Sequence, residues 1–246
     1  MRIEGRKATP TYIPIYKNRV YWRSRMRNVN HGLQGKESMK LQISFDMHDL
    51  DKALAIGDEI SNYADILEVG TLLLYKHGIK AIEKFREAFP KKIILVDSKI
   101  VDRGKETVTL LSQAGANWIT VMAGTGKDVI HNACTTADKF NVQVMLDLLD
   151  SSSLGQSALE AKNLGASALL FHQPHDEQES LTFLDKWDMV KGNTPLPIFV
   201  SGKIRRETVE QILSVKPSGL VIGKSIVEAE NPSQEAQFFY DLCSKN

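Results

Sequence analysis

From Met39 onward the chain alternates short apolar runs with amphipathic segments at a nearly constant spacing, and this rhythm constrains the fold more than any single residue. The runs read as strands over residues 41–46, 66–69, 93–97, 118–121, 142–147, 168–172, 198–201 and 220–222. Between them, apolar residues recur at helical spacing: Leu54, Ile56 and Ile60 within 51–63, and Ile79, Ile82, Phe85 and Phe89 within 78–89. Similar segments cover 106–114, 127–139, 155–164 and 207–215. Ala114-Gly115-Ala116 and Leu164-Gly165-Ala166 set a glycine where a helix closes in the left-handed conformation, and a strand follows each at once. Strands joined through helices pair in parallel by right-handed crossovers. Eight such units in one domain spanning 39–246 predict an α/β fold, a (β/α)8 TIM barrel. A doubly wound open sheet is the alternative. It would place a glycine-rich turn after the first strand, where this chain has Asp46-Met47-His48-Asp49.

Charge marks the domain boundary. Residues 1–38 hold nine Lys or Arg against two Glu, a surplus of seven in a chain whose net charge is +1. The basic leader reads as a nucleic-acid arm, an Arg-rich transit peptide, or an extension preceding a start at Met39. Ile3-Glu4-Gly5-Arg6 is similar to a protease-cleavage tag. The expectation taken is an extension with no role in the fold, and hence no nucleic-acid partner. No apolar run approaches the roughly 18 residues of a membrane span, so no membrane partner is expected. Cys134 and Cys243 are distant and outside any C-x-x-C pattern, which predicts a reducing, cytoplasmic setting.

A barrel of this kind builds its site where the strands end. The ionisable residues gather there, with Asp46, Glu68, Asp97 together with Lys99, Asp147 and His172 closing five of the eight runs. Packing alone would put apolar or small residues at such positions. The plain reading of Asp97, Lys99 and Asp102 is an ion-paired strand end entering solvated loop. The functional reading gives each a task. Glu68 and Asp97 offer oxygen ligands to a hard cation such as Mg2+, completed by water and substrate oxygens. Lys99 among carboxylates stays protonated, which suits stabilising a developing oxyanion better than forming a Schiff base. His172 is placed to take or give a proton near neutral pH, whereas His175 reads as an exposed loop residue. The last two strands end in Ser201-Gly202-Lys203 and Gly223-Lys224-Ser225. Backbone N–H groups at the glycines, with the two lysines, predict a phosphate site and therefore a phosphorylated small molecule as substrate.

Together these residues resemble the orotidine-phosphate-decarboxylase-like barrels, in the branch of 3-hexulose-6-phosphate synthase and 3-keto-L-gulonate-6-phosphate decarboxylase. The D-x-K-x-x-D motif is present as Asp97, Lys99 and Asp102, the E-x-G-T motif as Glu68-Val69-Gly70-Thr71, and the first-strand aspartate as Asp46. The resemblance runs from Met39 to about Pro232. It implies a ribulose-phosphate-binding type of barrel, a sugar-phosphate substrate, and Mg2+ held by Glu68 and Asp97. It also implies an enediolate stabilised by metal and Lys99, and a homodimer in which Asp102 reaches into the partner's site. Asp46, Lys99, Asp102 and His172 are the expected catalytic residues, and Asp147 is expected to bind substrate. Asp147 resembles the synthase, which has Asp where the decarboxylase has Glu, and His175 stands where the decarboxylase has Arg. Ser201 and Lys224-Ser225 lean the other way. Lys203 and Gln173-Pro174-His175-Asp176 depart from both. The expectation is a synthase-type aldehyde-lyase joining formaldehyde to ribulose 5-phosphate. A decarboxylase and a non-catalytic sugar-phosphate-binding barrel are the alternatives.

Overall fold

Strand pairing closes on itself. In the computed structural model, which describes residues 38–172 and 183–245, eight strands lie parallel in sequence order. They are β1 (Lys40–Phe45), β2 (Ile66–Val69), β3 (Ile93–Ile100), β4 (Trp118–Met122), β5 (Gln143–Asp147), β6 (Ala168–His172), β7 (Ile198–Ser201) and β8 (Gly219–Ile222). Because β1 pairs with both β2 and β8, the sheet is a closed (β/α)8 barrel and not an open one. The leader and His175 lie outside the described residues.

Successive side chains of a strand face opposite ways, and that alternation sorts the core into two parts. Leu41, Ile43 and Phe45 of β1 are fully buried against the helices. The inward positions change character along the barrel. Near the strand starts Ile66, Leu95, Trp118, Met145, Leu170, Phe199 and Val221 form an apolar plug. Each such side chain contributes roughly 1.5–3 kcal/mol by leaving water. Gly219 belongs to the same plug for a steric reason, since a Cβ there would stand 2.4 Å from the Phe199 ring. Nearer the strand ends the inward positions turn polar and stay buried: Gln42, Ser44, Glu68, Thr120 and Asp147. Such groups are tolerated inside when hydrogen-bonded, and of their side-chain atoms only Gln42 Oε1 lacks a partner among the described residues.

The surrounding helices are α1 (Leu50–Ile60), α2 (Thr71–His77), α3 (Ile79–Ala88), α4 (Gly104–Ala114), α5 (Lys127–Phe140), α6 (Leu154–Leu164), α7 (Phe183–Lys191), α8 (Val209–Ser214), α9 (Lys224–Val227) and α10 (Pro232–Lys245). Asp49 caps α1 by accepting the Lys52 N–H at 3.0 Å. Gly115 and Gly165 close α4 and α6 at φ +109° and +99°, as the sequence pattern predicts. At the strand-start end, Arg86 of α3 donates to the carbonyls of Gly115, Lys92, Phe89 and Pro90, and to Asn117 Oδ1. Among the described residues no helix is long and apolar enough to cross a membrane.

One element departs from expectation in a way that shapes the site. β3 continues past Asp97 to Ile100 instead of ending at Asp97. Val96 pairs with Ile119 and Ile100 with Val121, so four steps along β3 match two along β4. The excess is a bulge over Asp97, Ser98 and Lys99, and Lys99 takes a left-handed backbone at φ +44°.

Candidate active site

The bulge is held by side chains. Thr120 Oγ1 donates to Asp97 Oδ1 at 2.8 Å and accepts the Lys99 N–H at 2.9 Å, while Ser98 Oγ donates to the Thr120 carbonyl at 2.8 Å. Thr71, at the start of α2, donates to Asp97 Oδ2 at 2.6 Å. Lys99 Nζ lies 3.0 Å from the same oxygen.

From Lys99 a line of charges crosses the barrel mouth. Its ammonium is 3.4 Å from Asp147 Oδ2, and that oxygen is 3.2 Å from His172 Nδ1. Asp147 is fully buried, and its other oxygen accepts the Leu149 N–H at 2.9 Å. Burial alone would lower the Lys99 pKa, but Asp97 and Asp147, with Glu68 behind them, outweigh it and hold the pKa above lysine's ordinary range. Burial likewise works to raise Asp147. The hydrogen bond and charge of His172, then Lys99 and the Leu149 N–H, prevail and keep its pKa below the ordinary value. A carboxylate only accepts, so the contact to His172 puts the imidazole proton on Nδ1 and leaves Nε2 as the basic nitrogen.

Glu68 is the second buried acid. Ser44 Oγ donates to its Oε1 at 2.7 Å, and Gln42 Nε2 donates to its Oε2. Burial, then repulsion from Asp97, pushes the Glu68 carboxyl up to about 7 in spite of those bonds. Two carboxylates that oppose each other's ionisation are the donor set a hard cation suits, because a divalent charge between them removes the repulsion. The residues therefore fit Mg2+. Among the described residues no group of three or more His, Cys, Asp or Glu is arranged around one point, so such a cation would complete its coordination with water or ligand oxygens.

Across the mouth, the ends of β7 and β8 lie side by side. Gly202 and Lys203 both have positive φ, +108° and +50°. Ser225 Oγ donates to the Ile204 carbonyl at 2.5 Å, tying the β7 loop to α9. Ser201, Gly202, Lys203, Gly223 and Lys224 thus stand at or just past the ends of these two linked strands, with the Lys203 and Lys224 side chains exposed.

Two expected site residues have separate local partners. Asp46, just past β1, accepts the Leu72 N–H at 2.8 Å and so caps the first turn of α2. Gly70 makes that approach possible, since a Cβ there would lie 2.6 Å from Asp46 Cα. Asp102 sits on the exposed turn after β3, where it accepts the Arg103 N–H at 2.7 Å. Glu68, Asp97, Lys99, Asp147 and His172 come together in the mouth, and Asp102 lies outside that set.

Sequence reading missed most of the uncharged half of the site, Gln42, Ser44 and Thr120, and named Thr71 only as the last residue of the E-x-G-T motif. A signal was present. Gln42, Ser44 and Asp46 are polar at alternate positions in an otherwise apolar run, and Thr120 interrupts Trp118-Ile119 and Val121-Met122 in the same way.

The family described as orotidine 5'-phosphate decarboxylase / HUMPS matches residues 39–239. Over 200 residues the chain is 27% identical to a 3-hexulose-6-phosphate synthase of Bacillus subtilis, covering 80% of this chain and 95% of that one. The crystal structure of 3-hexulose-6-phosphate synthase from Salmonella typhimurium superposes with a TM-score of 0.80 at 29% identity, covering 84% and 99%. A 3-keto-L-gulonate-6-phosphate decarboxylase from Vibrio cholerae gives 0.73 at 25% identity, covering 85% and 98%.

Proposed function

Because the chain belongs to the orotidine 5'-phosphate decarboxylase / HUMPS family, we propose that its barrel mouth forms an enediolate from a ketose phosphate and adds it to an aldehyde. Its named relatives are synthases and decarboxylases, and the chain is a lyase-type enzyme. The preferred substrates are ribulose 5-phosphate and formaldehyde, joined to give a hexulose 6-phosphate. The observation that carries this reading is the contact line Asp97, Lys99, Asp147, His172 at the strand ends.

The phosphate anchors on the paired loops, through backbone N–H groups at Gly202 and Gly223 and the charges of Lys203 and Lys224. His172 Nε2 takes the proton from C1, and Asp147 steadies the imidazolium that results. The electron pair left by that proton spreads to the C2 oxygen. Lys99, held cationic by Asp97 and Asp147, faces the growing negative charge without the reorganisation that water would need. Mg2+, held by Glu68 and Asp97, would supply further polarisation of the ketose oxygens. C1 then attacks the formaldehyde carbon. One C–C bond forms, the carbonyl π pair becomes an alkoxide, and the imidazolium returns its proton to that oxygen.

A homodimer belongs to the same proposal. Leu72 and Tyr75 on α2 and Val101 after β3 are exposed apolar residues on the segments that follow two neighbouring strands, Tyr75 at 76%. A second copy covering that rim would bring Asp102 toward its partner's site.

Decarboxylation of 3-keto-L-gulonate 6-phosphate passes through the same kind of intermediate and is the second reading, favoured by the hydroxyl of Ser201 at the end of β7. Purified protein with Mg2+, assayed on ribulose 5-phosphate plus formaldehyde and separately on the keto-gulonate phosphate, distinguishes the two. The expected result is condensation of the first pair. Turnover of the second substrate alone contradicts the preferred reading.

A further inference from the structure

Thr120 is the one β4 residue opposite the bulge, between Ile119, which pairs with Val96, and Val121, which pairs with Ile100. It bonds to all three bulged residues: the Asp97 side chain, the Ser98 hydroxyl and the Lys99 backbone N–H. Because Oγ1 accepts from Lys99 N–H, its own proton is committed to Asp97 Oδ1. The residue is 1% exposed, so water does not compete for these bonds. Lys99 meanwhile holds a left-handed backbone, which is strained for an L-residue and persists only where its surroundings impose it.

We propose that Thr120 is the positioning residue of this mouth, its single hydroxyl setting a carboxylate and an ammonium in one geometry by bonding the side chain of Asp97 and the backbone of Lys99 together. The bulge turns Lys99 so that its ammonium reaches both Asp97 and Asp147. Without the hydroxyl, Asp97 keeps Thr71 as a donor, but the Lys99 N–H loses its acceptor and the turn its lock. This inference rests on the working roles given to Asp97 and Lys99 above.

The test compares Thr120→Val, which preserves shape and removes the hydroxyl, with Thr120→Ser, which keeps it. The first readout is amide hydrogen exchange at Lys99 by NMR in protein without added metal or substrate. Protection should be lost in Thr120→Val and kept in Thr120→Ser. The second readout is steady-state kinetics with Mg2+. For Thr120→Val kcat should fall by about 10–100-fold, the usual loss when a partner of a working group is removed, with KM little changed because the phosphate loops are untouched. Thr120→Ser should restore most of that loss. If Thr120→Val does not fold, Thr120→Ala against Thr120→Ser makes the same comparison. Unchanged Lys99 protection in the variant without the hydroxyl overturns the proposal, as does a serine variant as impaired as the valine one. If the wild-type protein turns over neither ketose phosphate, the reaction proposed above fails, and the exchange comparison still decides the role of Thr120.

Discussion

Asp147 shows what a single residue does here. Its side chain is inaccessible, one oxygen is fixed by the backbone, and the other is shared by an ammonium and an imidazole. In the proposed reaction it orients those neighbours, a task beside the substrate binding that the resemblance implies for it. The lowered pKa has a stability consequence with a definite sign. A carboxyl whose folded pKa lies below its ordinary value of 3.8 stabilises the fold fully above that value, and this contribution is lost as pH falls through the folded pKa. Asp147→Asn should melt earlier than wild type at pH 7, by an amount of order 3 kcal/mol for a broken buried pair, and lose less stability on going below pH ~4. Thermal melts from pH 2.5 to 7 check this, and parallel curves would contradict it. At this scale the charged residues were legible because a carboxylate or imidazole closing an apolar run has no packing reason to be there. The hydroxyl and amide residues left a fainter signal, their alternation with apolar neighbours, because Thr and Gln inside a strand read equally well as ordinary strand residues.

Elements explain why those side chains meet. A regular strand running on through Lys99 would also set Asp97 and Lys99 on one face, so their nearness alone does not reveal the bulge. The bulge depends on a bond from β4, and a long-range contact leaves no trace in the local pattern of β3. Four helices, α2, α7, α9 and α10, were overlooked, and α2 and α10 for different reasons. The first is one short segment following Gly70, capped from a distant aspartate, and the second follows the last barrel strand, where the alternation gives no cue. At the opposite end of the barrel, Arg86 gathers the carbonyls of residues 89, 90, 92 and 115. Its pKa is lowered by burial, and its partners are neutral, so it serves as a many-armed donor. Arg86→Leu leaves those carbonyls without it and should cost about 3 kcal/mol, read as a lower urea midpoint. Activity per folded molecule should be unchanged, because the mouth lies at the other end of the strands. A fall in kcat without a change in midpoint would contradict this division of the molecule into a stabilising end and a working end.

The molecule as a whole was the most legible level. Eight alternations fixed strand order, parallel pairing and the end at which polar residues collect, since right-handed crossovers leave few other ways to bury both faces of so many strands. The family match covers the same region as that alternation. What the barrel turns over depends on finer features, namely which aldehyde or carboxylate the mouth admits and which loop charges hold the phosphate. In the proposed reaction one step comes before addition to the aldehyde: His172, oriented by Asp147 and facing a cation-stabilised oxyanion site, removes a proton from C1 of a ketose phosphate. Solvent exchange measures this directly, with ribulose 5-phosphate incubated in D2O with the protein and Mg2+ and its C1 protons followed by NMR. One C1 proton signal should be lost with the wild type and none with His172→Asn or Lys99→Ala. Phosphate-dependent binding of ribulose 5-phosphate with no exchange in the wild type would contradict it and leave a barrel that holds a sugar phosphate without acting on it.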